Sequence, residues 1–157
     1  MEIMNALVKK LDAVDLDKFK DLISLFENVF RMEDLKMPDD NYLSRLLDGK
    51  SFLVFVAMID EKVVGGLTAY TLQQYYSELP LIYIYDLAVT TEFQRQGIGK
   101  LLISAITDYG KVTGVEEVFV QADEEDGYAL DFYRSTGATP EKVVHFYYPL
   151  NSNYPLE

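Results

Sequence analysis

The sequence contains no cysteine. That one absence removes a disulfide framework, a thiolate metal site and a cysteine nucleophile. Histidine occurs once, at His145, which excludes a multi-histidine metal site and argues against a Ser-His-Asp triad. No metal is expected. Basic residues are scarce: 14 Lys and Arg stand against 26 Asp and Glu, a formal net charge of -12. This balance repels nucleic-acid backbones and anionic membranes and attracts polycations. It serves as a solubilising surface or, more pointedly, as the field of a protein that takes a cationic small-molecule substrate. The longest apolar run, Phe52 to Ile59, is far too short to span a bilayer. The opening Met1-Glu2-Ile3 lacks the basic and apolar regions of a signal peptide, so the expected location is the cytoplasm.

What is present is enough for one core. The chain has 157 residues, 49% of them hydrophobic, with 12 Tyr and 9 Phe. No linker or repeat interrupts it, and a single domain over residues 1–157 is expected. An extended start is expected around Ile3 to Val8. A helix follows, with Leu16, Phe19, Leu22, Ile23, Phe26 and Phe30 at helical spacing and Asp12 or Asp15 as its cap. A second helix carries Tyr42, Leu43, Leu46 and Leu47 and stops at Gly49. Phe52 to Ile59 and Val63 to Leu72 read as a hairpin about Asp60-Glu61-Lys62, and Leu81 to Val89 as the next strand. From Ile98 to Gly114 a long helix is expected to turn Leu101, Leu102, Ala105, Ile106, Tyr109 and Val112 to one face. Glu117 to Ala122 is a strand, Tyr128 to Thr136 a helix closed by Gly137, and Val143 to Tyr148 a final strand. The order predicts a mixed α/β (α+β) domain with helices covering a central sheet.

The strand Tyr83-Ile84-Tyr85-Asp86-Leu87-Ala88-Val89 feeds, five residues later, into Gln94-Arg95-Gln96-Gly97-Ile98-Gly99-Lys100. The first N–H groups of a helix lack partners and carry the positive end of its dipole, so such a turn suits a phosphate. Gly97 and Gly99 let a pyrophosphate approach the backbone, and Arg95 and Lys100 add charge. A nucleotide P-loop requires glycine at position 94 and Ser or Thr after the lysine, where this chain has Gln94 and Leu101. A dinucleotide fingerprint requires a small residue where Leu102 stands.

Gln94 to Gly99 fits the Q/R-x-x-G-x-G/A pattern of the GNAT acyltransferase superfamily, after an apolar strand and before an amphipathic helix. The resemblance extends further. Ile82 to Val89, Val120-Gln121-Ala122-Asp123 and His145-Phe146 resemble the aminoglycoside 3-N-acetyltransferases (gentamicin acetyltransferase type I), a GNAT subfamily. Leu25-Phe26 and Asp40-Asn41-Tyr42-Leu43 resemble that subfamily's N-terminal half. The likeness covers about Leu25 to Tyr148. It implies the GNAT fold, a mixed and mostly antiparallel sheet splayed at the acetyl-CoA site and flanked by four helices. It also implies acetyl-CoA as the acetyl donor.

The resemblance further implies roles. Leu87, Ala88 and Val89 would hydrogen-bond pantetheine through their backbone, and Gln94, Arg95, Gln96, Gly97, Ile98, Gly99 and Lys100 would hold the pyrophosphate. Tyr133, in Leu130-Asp131-Phe132-Tyr133, matches the position of a tyrosine near the coenzyme sulfur and is the candidate general acid. Asp86 is a carboxylate in an apolar strand, costly unless paired or set in a cleft; the resemblance faces it to the acceptor amine, as base or as orienting group. Strand alternation sets Asp86 and Ala88 on one face and Tyr85 and Leu87 on the other. Asp123 and Glu124, in the acidic run through Asp126, suit a substrate with several ammonium groups. His145 is a further candidate for the acceptor pocket. Tyr70, Tyr75, Tyr76 and Glu78 either wall a sugar site or merely cover the sheet.

The function expected is therefore acetylation of an aminoglycoside at the 3-amino group of its deoxystreptamine ring, conferring antibiotic resistance. The alternatives are a GNAT enzyme acting on a polyamine, small metabolite amine or peptide N-terminus, and a non-catalytic coenzyme-A-binding module. A homodimer is an expectation of the resemblance alone.

Overall fold

The computed structural model describes residues 5–151. Its elements are β1 (Leu7–Lys10), α1 (Leu16–Phe30), α2 (Asp40–Asp48), β2 (Phe52–Ile59), β3 (Lys62–Leu72), β4 (Leu81–Val89), α3 (Ile98–Thr113), β5 (Glu117–Val120) and α4 (Gly127–Ser135), with a 3-10 turn at Thr91–Phe93. The chain divides into two compact units, Met1–Ala122 and Asp123–Glu157. The mixed sheet expected from the sequence lies wholly in the first.

Its strand order is β1-β2-β3-β4-β5. The first four strands run antiparallel to their neighbours and β5 runs parallel to β4. β2 and β3 join through Asp60 and Glu61, both at positive φ (50° and 67°), the signature of a two-residue type I′ turn whose twist matches the strands. β1 begins later than the sequence suggests and pairs from Leu7↔Met58 to Lys10↔Phe55. Ile3 and Met4, in the expected strand, lie outside the described residues.

Helices cover both faces of this sheet. On one, Phe19, Leu22, Leu25 and Phe26 of α1 and Leu43 and Leu47 of α2 pack on Val54, Val56, Val63 and Ala88. On the other, Ile98, Leu102 and Ile106 of α3 pack on Phe55, Leu67, Ile82, Ile84 and Val89. Each such burial contributes about 1.5–3 kcal/mol. The buried stripe of α3 is Ile98, Leu102, Ile106 and Gly110, while Leu101 and Val112, expected on the same face, are exposed. The i+4 row from Ile98 sets the seam, and those two residues lie off it.

One local detail departs from expectation. Asp15 occupies the N-cap position of α1 but makes no side-chain cap bond. Its buried carboxylate instead accepts from Lys9 Nζ (2.8 Å) and the Asp12 N–H (3.0 Å), tying β1 to the helix start. Asp39 caps α2, accepting from the Tyr42 N–H at 2.9 Å.

In the second unit, Asp126 caps α4 by accepting from the Ala129 N–H at 3.0 Å, and Gly137 (φ 92°) follows the helix. The strand expected at Val143–Tyr148 does not form. Val143, Val144, Phe146, Tyr147 and Tyr148 are all exposed. Apolar and aromatic residues favour a strand only where a partner ladder and a packed face complete it, and this stretch has no ladder.

Candidate active site

Two irregularities of β4 shape the site in the first unit. The β4–β5 ladder runs from Leu81↔Glu117 to Ile84↔Val120 and stops, although β4 continues to Val89. This is the splay that the sequence resemblance implies. On the other side, the register with β3 shifts so that Thr68 faces Asp86 and Ala69 faces Ile84, leaving Tyr85 as an extra residue.

The bulge switches the alternation. Ile82 and Ile84 face the α3 side before it, and Leu87 and Val89 face that side after it, while Ala88 packs on the α1 side. Asp86 therefore shares a face with Ala88, as expected. Tyr85 does not share a face with Leu87: its ring meets Tyr70 (5.8 Å) and Tyr83 (6.0 Å). A bulged residue re-aims side chains in this way, and no glycine or proline in the strand signals it.

Beyond the splay, main-chain groups of β4 face an open edge. The Thr90 N–H donates to the Val64 carbonyl at 2.9 Å. By antiparallel alternation Ala88 and Asp86 also turn their backbone groups to β3, and Leu87 and Val89 turn theirs outward. Leu87 and Val89 can thus meet an extended amide-bearing ligand as a missing strand would. The Val89 carbonyl already accepts from Gln94 Nε2 at 2.9 Å. The Gln94 side chain is thereby a brace between the strand end and the loop, a role not legible in the motif.

The loop has a backbone that could cradle an anion. Arg95 (φ 62°) and Gly97 (φ 88°) are both left-handed. A side chain at Gly97 would meet no atom within 4 Å, so backbone conformation, rather than space, calls for glycine there. α3 starts at Ile98, and its first internal bond runs from the Leu101 N–H to the Gly97 carbonyl at 3.1 Å. The N–H groups of Ile98, Gly99 and Lys100 precede that bond and are available to a phosphate at the positive helix end. Gln96 Nε2 donates to the Glu92 carbonyl at 3.1 Å, leaving its main chain in the cradle. Just upstream, the buried Thr90 hydroxyl has no partner among the described residues. An orphaned hydroxyl beside an open strand edge and a phosphate cradle fits a polar, extended phosphate ester such as a coenzyme A thioester. Sequence reasoning passed over Thr90.

Asp86 is half-buried, and burial pushes its carboxyl above the ordinary carboxylate range. It has no ion-pair partner among the described residues. A desolvated carboxylate of this kind can accept the proton of an ammonium group or pair with it.

The remaining expected residues are placed as follows. Tyr76 is 72% exposed on the loop before β4, its ring against Tyr75. In the second unit, Tyr133 lies on α4 with its ring against Phe132, and His145 stacks on Tyr147. Asp123, Glu124, Glu125 and Asp126 line an open depression of about 520 Å³, and Lys142 Nζ stands 3.6 Å from Glu124. Asp126 is committed to its capping bond. Among the described residues no group of three or more His, Cys, Asp or Glu is set to hold a metal ion, and no helix is long and apolar enough to cross a membrane.

A splayed parallel strand pair opening toward a glycine-bearing helix start is the frame of an acyl-coenzyme A transferase. The acetyltransferase (GNAT) family model matches residues 19–138, and the chain belongs to that family of acetyl-CoA-dependent N-acetyltransferases. Among solved structures it is similar to aminoglycoside acetyltransferase meta-AAC0020 from an uncultured soil metagenomic sample, seen in complex with trehalose and with sisomicin. The identity is 56% over 96% of this chain and 100% of that one, with a TM-score of 0.93. Among curated proteins it is 24% identical over 116 residues, 70% of this chain, to aminoglycoside N(6')-acetyltransferase type 1 of Salmonella typhimurium, covering 80% of that protein. It is also 27% identical over 66 residues, 42% of this chain, to the [ribosomal protein bS18]-alanine N-acetyltransferase of the same organism. That last match spans 45% of the relative's length.

Proposed function

We propose that this chain acetylates an aminoglycoside at the 3-amino group of its deoxystreptamine ring, by direct attack within a ternary complex with acetyl-CoA. One observation carries the reading: the chain-long likeness to meta-AAC0020, a protein captured with sisomicin. The half-buried Asp86 and the net charge of -12 support a polycationic acceptor. The two compact units act as one domain, in keeping with a family match that runs through their boundary.

In this reading the outward backbone of Leu87 and Val89 holds pantetheine, and the loop from Gln94 to Lys100 holds the pyrophosphate. Asp86 pairs with the acceptor ammonium and takes its proton, so the free amine attacks the thioester carbonyl. The C–N bond forms, the C–S bond breaks, and Tyr133 gives its proton to the leaving thiolate. The second proton that the new amide nitrogen sheds restores the phenol through solvent, and Asp86 releases its own proton to solvent before the next turnover. Asp123, Glu124, Tyr76 and His145 bind the remaining acceptor groups. N-acetylation removes one positive charge from the antibiotic and weakens its hold on ribosomal RNA. The enzyme works in the cytoplasm, where acetyl-CoA and ribosomes meet, and a homodimer is its proposed assembly.

The similarity to an alanine N-acetyltransferase favours one second reading, a peptide N-terminal amine as acceptor. Thiol release from acetyl-CoA with gentamicin, a 3-amino-blocked gentamicin, spermidine and an alanine-terminated basic peptide separates the two. Turnover of gentamicin but not of its blocked derivative is expected. Turnover only of the peptide or spermidine would keep the acetyltransferase and reject the antibiotic as acceptor.

A further inference from the structure

The bulge at Tyr85 brings Asp86 onto the face of the sheet that carries Tyr70, Tyr83 and Tyr85, a surface that the proposed reaction leaves unused. Tyr85 meets Tyr70 edge-on (5.8 Å, 89°) and Tyr83 edge-on (6.0 Å, 80°), and Tyr83 stacks flat on Phe119 (4.8 Å, 5°). The Tyr83 hydroxyl lies 3.1 Å from Gln121 Oε1 and donates to it, which fixes the ring. Behind them Tyr70 rests on Phe52, and Phe52 on Phe19 of α1. The stripe thus crosses three strands and is braced from one end.

A core cluster would bury these rings, yet Tyr85 is 59% exposed and Tyr70 37%. Regular alternation from Ile82 and Ile84 already sets Tyr83 and Tyr85 together on the face away from α3, and would have turned Asp86 to the α3 side. The bulge keeps Asp86 on the face of the stripe, next to Tyr85. Rigid phenols with exposed faces offer apolar area at little entropic cost, and their π-faces attract cations. An acidic group beside them sets the charge of the occupant.

We infer that Tyr85, with Tyr70 and Tyr83, forms a stacking platform for a saturated, polyhydroxylated ring bearing ammonium groups, whose amine is delivered to Asp86. The inference rests on the proposed acetylation of an aminoglycoside and names the residues that select a ring over an acyclic polyamine. The ring's C–H face lies on the phenols while its ammonium points to the carboxylate.

The test uses two probes on the full chain: sisomicin, and trehalose as an uncharged disaccharide. Binding is followed by tyrosine fluorescence and acetylation by thiol release. For Tyr85→Ala, trehalose affinity falls and the sisomicin KM rises, each by about three- to tenfold. Its kcat and the acetyl-CoA KM stay within about twofold of wild type, and Tyr85→Phe restores both affinities. Asp86→Asn weakens sisomicin but not trehalose. Spermidine, which has no ring, shows no dependence on Tyr85. Trehalose binding that is absent in the wild type, or equal in wild type and Tyr85→Ala, overturns the platform even if aminoglycosides are acetylated. Trehalose binding that depends on Tyr85 without any aminoglycoside turnover keeps the platform and rejects the proposed acceptor.

Discussion

Asp86 follows the bulged Tyr85 in β4, and burial holds its carboxyl above the ordinary carboxylate range. The proton is therefore bound more tightly in the folded chain than in the unfolded one. The stability associated with this group is complete below the ordinary carboxylate range. It is lost as pH rises through that range and the raised folded value. Above the raised folded value the ionised carboxylate burdens the fold, and it is this form that takes the ammonium proton in the proposed reaction. Asp86→Asn is expected to lower turnover by about 10²–10⁴, leave the acetyl-CoA KM unchanged, and melt at a higher temperature than wild type at neutral pH. Full activity in that variant would remove Asp86 from proton transfer. Tyr133→Phe is expected to lower kcat with little change in acceptor KM, because the phenol is assigned to the leaving thiolate; an unchanged kcat would reduce it to packing. Asp86 was legible as a carboxylate in an apolar strand. The stack of Tyr83 on Phe119 was not, because it depends on which strand pairs with β4. Nor was the placing of Asp86 beside Tyr85, because it depends on a register shift that single-sequence alternation does not contain.

At the scale of elements, the close approach of α1 to the sheet rests on Gly66. A β-carbon there would lie 2.5 Å from Leu22 Cδ1 and 2.7 Å from the Phe55 carbonyl oxygen. The backbone oxygen cannot yield as a side chain can. Gly66→Ala is expected to destabilise the chain by about 1–3 kcal/mol, measured as a fall in the urea midpoint; an unchanged midpoint would show that α1 can shift away freely. The helices, the hairpin and β4 were legible because apolar periodicity and turn residues agree there. Asp60 and Glu61 mark the hairpin turn, and Gly114 (φ 78°) ends α3. Where a feature depends on something beyond its own residues, the reading went astray. Asp15 bonds Lys9 instead of its helix, and Val143–Tyr148 lacks the ladder that would make it a strand.

At the scale of the whole molecule, the net charge of -12 bears on the two substrates in opposite ways. It favours the polycationic acceptor proposed above and repels an anionic coenzyme, which in the proposed reaction is met by the local cradle at the start of α3. Raising ionic strength from about 0.01 to 0.15 M shortens the screening length from roughly 30 to 8 Å. The acceptor kcat/KM is accordingly expected to fall several-fold in steady-state assays while the acetyl-CoA KM holds or improves; an acceptor kcat/KM independent of salt would deny the field a role. The family was legible from the strand, the glycine turn and the helix in sequence. The position of acetylation was not, since it is set by how the acceptor lies in the site rather than by any motif. The most direct measurement is therefore two-dimensional NMR of the product formed from sisomicin and acetyl-CoA. The account predicts a single acetyl group whose carbonyl correlates with the proton at carbon 3 of the deoxystreptamine ring. An acetyl group on the 6'-amine, or no acetylated sisomicin at all, would contradict it.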